Sequence, residues 1–163
     1  MTNNEIALRN ATLDWMLQQA DSYTHAITLT LKPYRVVQTE RGEMREALTK
    51  DNAKANMRHF INRVNNSMYG NAAKRYGKGI SILAVIEGEA TNKQLHYHCA
   101  IGNLPTTLNE QAIQSKITSA WHQTAFGNEQ VHIQRMQTSG WLNYLGKEVG
   151  LHGADVVDWE NVR

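Results

Sequence analysis

Two short stretches of the chain carry side chains that could act together on a phosphodiester. The first is Leu95-His96-Tyr97-His98-Cys99-Ala100-Ile101. Successive side chains of an extended strand alternate between faces, so His96 and His98 share one face and Leu95, Tyr97 and Cys99 the other. Two imidazoles on one face begin a divalent metal site, and such a site needs a further protein ligand. The apolar run Leu83-Ala84-Val85-Ile86 leads into Glu87 and, two residues later, Glu89. A hairpin would bring this end beside the histidines, with Glu87 the preferred third ligand and Glu89 the alternate. A zinc set of His96, His98 and Cys99 fails on geometry, because Cys99 points to the opposite face. Two histidines and a carboxylate leave positions open for a phosphate oxygen and water, which suits Mn²⁺ or Mg²⁺ as a Lewis acid.

The second stretch is Trp141-Leu142-Asn143-Tyr144-Leu145-Gly146-Lys147-Glu148. On a helix Tyr144 and Lys147, three apart, are neighbours. A phenol with its ordinary pKa near ~10 is a poor nucleophile. It needs a polarised phosphate, a nearby cation, or both. The metal would supply the first and Lys147 the second. Trp141 and Leu145 lie on an adjacent stripe and could anchor this helix to a sheet.

The elements that must position these groups follow from hydrophobic period and turn residues. Residues 3–20 read as a helix with Ile6, Leu13, Met16 and Leu17 at roughly helical spacing. Residues 24–31 alternate as a strand, with Thr28 and Thr30 on one face and Ile27, Leu29 and Leu31 on the other. Residues 34–50 are polar and charged and read as a loop. Asp51 offers a cap to a helix whose stripe is Ala53, Met57, Phe60, Ile61, Val64 and Met68, ending at Gly70. Residues 71–79 read as a basic loop. Strands over 80–89 and 95–101 flank a turn at 90–94, an antiparallel hairpin. A helix over 107–126 turns Leu108, Ile113, Ile117 and Trp121 inward, and a strand over 129–136 has Val131 and Ile133 on one face. Thr138 or Ser139 caps a last helix to about Val149. The tail contains Val156, Val157 and Trp159, which call for burial. The order α-β-α-β-β-α-β-α predicts an α+β fold, a central antiparallel sheet flanked by helices.

Length and composition fit one domain over residues 1–163, whether complete or the N-terminal part of a longer protein. The formal net charge is +2 and the pI about 8.7, mildly basic and compatible with nucleic acid. The single cysteine cannot form an internal disulfide. With no signal-peptide pattern and no apolar run long enough for a membrane span, it points to the cytosol. Arg58, Arg63, Lys74, Arg75 and Lys78 cluster with Tyr69 and Tyr76 among them. Cations with interleaved aromatics suit single-stranded DNA, where phosphates are neutralised and bases stack. A solvated helix face followed by a basic loop has the same pattern.

His96-Tyr97-His98 followed downstream by Tyr144-Leu145-Gly146-Lys147 resembles the HUH endonucleases, and His25-Ala26-Ile27-Thr28-Leu29-Thr30-Leu31 resembles their loose first motif. The tyrosine following the histidines and the lysine on its helix resemble replication initiators (Rep) rather than relaxases or the related single-strand transposases. Gly140, where two-tyrosine initiators have their other tyrosine, makes this the single-tyrosine type. The resemblance implies a βαββαβα fold, here with one extra N-terminal helix. It also implies a metal held by the two histidines and a polar residue, and attack by the tyrosine on origin single-stranded DNA to leave a 5′-phosphotyrosine and a free 3′-OH. A helicase, fused or separate, would be the partner, since no Walker A motif lies within the chain. The runner-up readings are a single-strand transposase and a noncatalytic nucleic-acid-binding domain.

Overall fold

The computed structural model describes residues 1–89 and 94–163. In chain order the elements are α1 (Asn3–Gln18), β1 (His25–Leu31), β2 (Tyr34–Thr39), β3 (Gly42–Ala47), α2 (Lys50–Tyr69), α3 (Asn71–Tyr76), β4 (Ser81–Glu87), β5 (His96–Gly102), α4 (Glu110–His122), β6 (Gly127–Arg135) and α5 (Gly140–His152). Four strands form an antiparallel sheet in the order β4-β5-β1-β6, and β2 and β3 form a separate two-stranded ribbon. The fold is α+β.

Alternation along the central strands divides the interior in two. Ile27, Leu29 and Leu31 of β1, Tyr97, Cys99 and Ile101 of β5, and Ile82, Ala84 and Ile86 of β4 point to one side. There they meet Met57, Phe60, Ile61 and Val64 of α2 and Ile113, Ile117 and Trp121 of α4. Phe60 and Trp121 meet edge to face with centroids 5.4 Å apart, a favoured aromatic geometry. On the other side Leu83, Val85 and Ala100 pack against Met16 of α1 and Leu142, Leu145 and Val149 of α5. The spacing of those three α5 residues is one helical stripe. The stripe fastens α5 over β4 and β5, while the half of that face formed by β1 and β6 presents the partly exposed Thr28 and Thr30 and the exposed His132 and Gln134.

Several expectations need correction. Residues 34–50 hold the ribbon β2–β3 rather than a loop. Both of its strands are largely solvated, so no buried face prints an apolar period on the sequence, and Gly42 at φ +107° begins the return strand. The basic stretch after Gly70 folds into α3, closed by Gly77 in the left-handed region. In α1 only part of the expected stripe is inward: Met16 is buried, whereas Ile6 and Leu17 are exposed. The α4 helix is shorter than read, because Asn109 caps it by accepting from Ala112 N–H. Thr49, rather than Asp51, caps α2 through the N–H of Asn52. The expected turn at 90–94 lies, for 90–93, outside the described residues.

The tail docks on β4. Val157 is buried opposite Val85, Asp158 N–H donates to Ala84 C=O, and Arg163 and Ile82 exchange both backbone bonds. Trp159, expected to be buried, is about half exposed and rests against Trp15 with centroids 5.3 Å apart. Asp158 is fully buried and accepts from the Tyr97 hydroxyl at 2.9 Å and the Asn161 amide at 2.7 Å. Tyr97→Phe removes a donor from a buried carboxylate. It should cost about 1–3 kcal/mol of stability, read as a lower denaturation midpoint at unchanged slope.

Candidate metal and nucleophile site

The register of three strands assembles the site. Glu87 on β4 stands opposite His96 on β5, and His98 stands opposite Thr28 on β1. All four side chains emerge on the face that α5 partly covers. Glu87 Oε2 lies 2.6 Å from His98 Nε2 and 3.3 Å from His96 Nε2, and one ligand atom from each of the three residues falls within 4.8 Å of the others. Glu89, the alternate ligand, instead pairs with Lys50 at 2.8 Å. Cys99 is fully buried on the opposite face, and burial pushes its thiol well up.

The remaining ring nitrogens are already engaged. His96 Nδ1 lies 3.1 Å from the carbonyl oxygen of Gln94, which can only accept, so Nδ1 carries the proton. In the neutral ring Nε2 is then a lone pair aimed at a carboxylate, an arrangement that needs a cation between them. His98 Nδ1 shares a 3.0 Å hydrogen bond with Thr28 Oγ1. Such outer partners orient metal-binding imidazoles and fix their tautomers. Burial, then the neighbouring His96, push the His98 imidazole below its ordinary value. Burial would raise the Glu87 carboxyl, but the hydrogen bond from His98 and the flanking imidazoles outweigh it and hold it below the usual range. Near neutrality the site therefore offers a neutral His98 and an ionised Glu87, the forms that bind a divalent cation. The donor set fits Mn²⁺ or Mg²⁺ with positions to spare.

Tyr144 stands over this cluster. Its ring meets His98 edge to face at 5.2 Å and stacks on Trp141 at 5.1 Å with the planes 15° apart. Trp141 donates from its indole N–H to the carbonyl of Cys99 at 2.9 Å, tying α5 to β5 between the aromatic pair and the sheet. Burial, then Glu87 and Glu148, raise the Tyr144 phenol. Glu148, one helical turn beyond Tyr144, is a neighbour that sequence reasoning did not single out, although its spacing was visible. Glu148→Gln removes a negative charge and should lower the Tyr144 pKa, read by ultraviolet titration against a Tyr144→Phe background.

The other expected site residues lie farther off. Lys147 is exposed and borders a groove with Leu13, Leu17 and Asn143 on the α1 side of the helix. Arg58 pairs with Glu160 at 3.0 Å, and Arg63 donates to Gln123 at 2.9 Å, both from α2 on the opposite side of the sheet. Lys74 and Lys78 border a groove with Asn62, Asn65 and Arg163, and exposed Arg75 follows Lys74 on α3. That groove adjoins the Ser81 end of β4, and at about 3.3 Å per residue Glu87 lies roughly 20 Å away along the strand.

A family model described as replication-associated protein ORF2 matches residues 24–150. The chain belongs to this family. The match opens one residue before β1 and closes within α5, so the Glu87–His96–His98 cluster and Tyr144 all fall inside the region that defines the family. Membership gives the protein a replication-associated role. No curated protein and no solved structure matches the chain. Among the described residues, no helix is long and apolar enough to cross a membrane.

Proposed function

We propose that this replication-associated protein is a metal-dependent, site-specific nicking and joining enzyme for single-stranded DNA, an HUH endonuclease of the single-tyrosine Rep type that opens a replication origin. The observation that carries the reading is the Tyr144 ring packed on His98, which places a phenol beside a carboxylate–imidazole cluster suited to a divalent ion. A bound Mn²⁺ or Mg²⁺ supplies Lewis acidity toward a phosphodiester oxygen.

The chain's residues do the rest. Glu87, His96 and His98 hold the ion, with Thr28 and the Gln94 carbonyl fixing the imidazoles. Trp141 holds the Tyr144 ring in place by stacking. The Tyr144 oxygen bonds to phosphorus as the bond to O3′ breaks, the phenol proton is released, and the departing oxygen takes up a proton as a 3′-OH. Attack of a 3′-OH on the phosphotyrosine reverses the step and joins strands. The basic residues Arg58, Arg63, Lys74, Arg75 and Lys78 would engage more distant DNA phosphates. Incubating the protein with labelled single-stranded origin DNA and Mn²⁺ tests the proposal: a covalent protein–DNA adduct is expected, and its absence across candidate origins refutes it.

Lys147 is proposed as the cation that stabilises charge on the phenolate or phosphate, its flexible stem reaching back over the helix. Lys147→Ala should slow single-turnover nicking by roughly 10²-fold with metal binding unchanged. Lys147→Arg should rescue part of it, since charge is kept while reach and shape change. A wild-type rate in the Ala variant would leave Lys147 a solvated helix residue.

A further inference from the structure

Tyr144 divides two grooves of opposite character. On one side, between the end of β6 and the start of α5, lies a groove of about 390 Å³ whose lining includes Gln134, Arg135, Gln137, Thr138 and Trp141, with Tyr144 as one wall. Among the described residues, no carboxylate lines it. On the other side lies a groove bordered by Glu87, Glu89, Glu148 and His152. Its acids are partly held, Glu89 by Lys50 and Glu148 by His152 at 3.7 Å, yet the wall remains anionic.

We propose that the nucleotide flanking the attacked phosphate sits in the β6–α5 groove, and that Gln134 and Gln137 read its base. This rests on the nicking function proposed above. A strand reaching Tyr144 brings a negative charge with every phosphate, so the acidic groove repels it and the groove without carboxylates admits it. The volume lies in the range of small-ligand sites. Gln134 and Gln137 are exposed, and each carboxamide presents a donor and an acceptor, the combination that base edges match. Arg135 is well exposed beyond its 3.1 Å contact with Glu110, and its guanidinium lies at the groove for a phosphate. Trp141 and Met136 give the floor an apolar character suited to a base. The groove is continuous with the nucleophile, so its occupant is the immediate neighbour of the reacting bond. Gln134 and Gln137 are thus specificity-determining residues, outside the metal cluster and outside the basic stretch of α2 and α3.

Single-stranded DNA of random sequence, incubated with Mn²⁺ and sequenced from the covalent adduct, reports base preference on each side of the captured phosphate. The Gln134→Ala/Gln137→Ala protein should lose about tenfold of the preference at one flanking position, the size expected for carboxamide–base recognition. Leu151→Ala, in the acidic groove, should leave the preference as in wild type. An unchanged preference in the glutamine variant overturns the proposal while leaving nicking intact. A wild-type protein that forms no adduct refutes the nicking reading instead, and a second measurement then decides the groove. Oligonucleotides carrying 5-iodouracil, irradiated on the protein, should crosslink within residues 134–141. Crosslinks within 148–156, or none within 134–141, overturn the assignment.

Discussion

Tyr144→Phe should abolish adduct formation and strand cleavage, leaving no rate above the uncatalysed background. The variant lacks the oxygen that bonds to phosphorus, so no rearrangement of the site restores the step. The fold should not notice. Tyr144 is 37 % exposed, and its contacts with Trp141 and His98 are made by the ring, which phenylalanine keeps. Stability should therefore stay within about 0.5 kcal/mol of wild type. Affinity for single-stranded DNA should also persist, since binding draws on the grooves and cations around the phenol. A residual adduct in the Phe variant would transfer the nucleophile to another residue and remove the basis of the proposed chemistry.

Loss of the metal site should be equally severe and should differ in its signature. His98→Ala, His96→Ala and Glu87→Ala each leave two protein ligands where three converge. Replacing an outer partner alone typically costs a metal site about 10–100-fold in affinity, so loss of a direct ligand should cost at least about 100-fold. Mn²⁺ titration followed by calorimetry or paramagnetic resonance measures this without any DNA. Thr28→Val, which removes the hydroxyl on His98 Nδ1, should fall between wild type and the ligand variants. Glu89→Ala should matter less than Glu87→Ala, because Glu89 is directed to Lys50. Chelation should stop nicking by the wild-type protein, and added Mn²⁺ should restore it. A dead Glu89→Ala beside an active Glu87→Ala would exchange the two carboxylates.

The His-x-His pair could be read from the chain because its geometry is local. Period-two alternation alone sets both imidazoles on one face, and their neighbours Tyr97 and Cys99 are buried on the other. The α2 stripe was equally plain, since Ala53, Met57, Phe60, Ile61 and Val64 all face one core. The ribbon β2–β3 escaped because both its faces meet solvent, although Val36, Val37 and Thr39 carried a strand preference. In α1 the apolar residues are spread round the helix, so spacing did not tell Met16, which is buried, from Leu17, which is not. Thr28 was placed on the correct face, but its bond to His98 depends on the pairing of β1 with β5, a nonlocal register that no window of sequence contains. The location of the basic residues is nonlocal in the same way. Arg58 and Arg63 look adjacent to the chemistry in the chain, yet the sheet stands between them and Tyr144.

The docking of residues 157–163 along β4 bears on how copies of this protein behave at high concentration. An uncovered β4 would expose apolar strand backbone next to Ile82, Val85 and Ile86, a template on which a second chain could add. With that side occupied, strand addition to the sheet has β6 as its remaining border. There Glu129, Gln130, His132, Gln134 and Arg135 are spread along the strand, and charged and amide side chains on a border strand discourage pairing with another copy. Detaching the tail, for example by Val157→Asp, would thus be expected to turn a protein that stays dispersed into one that self-associates through β4. Light scattering would detect this even where enzymatic activity per folded molecule was unaltered.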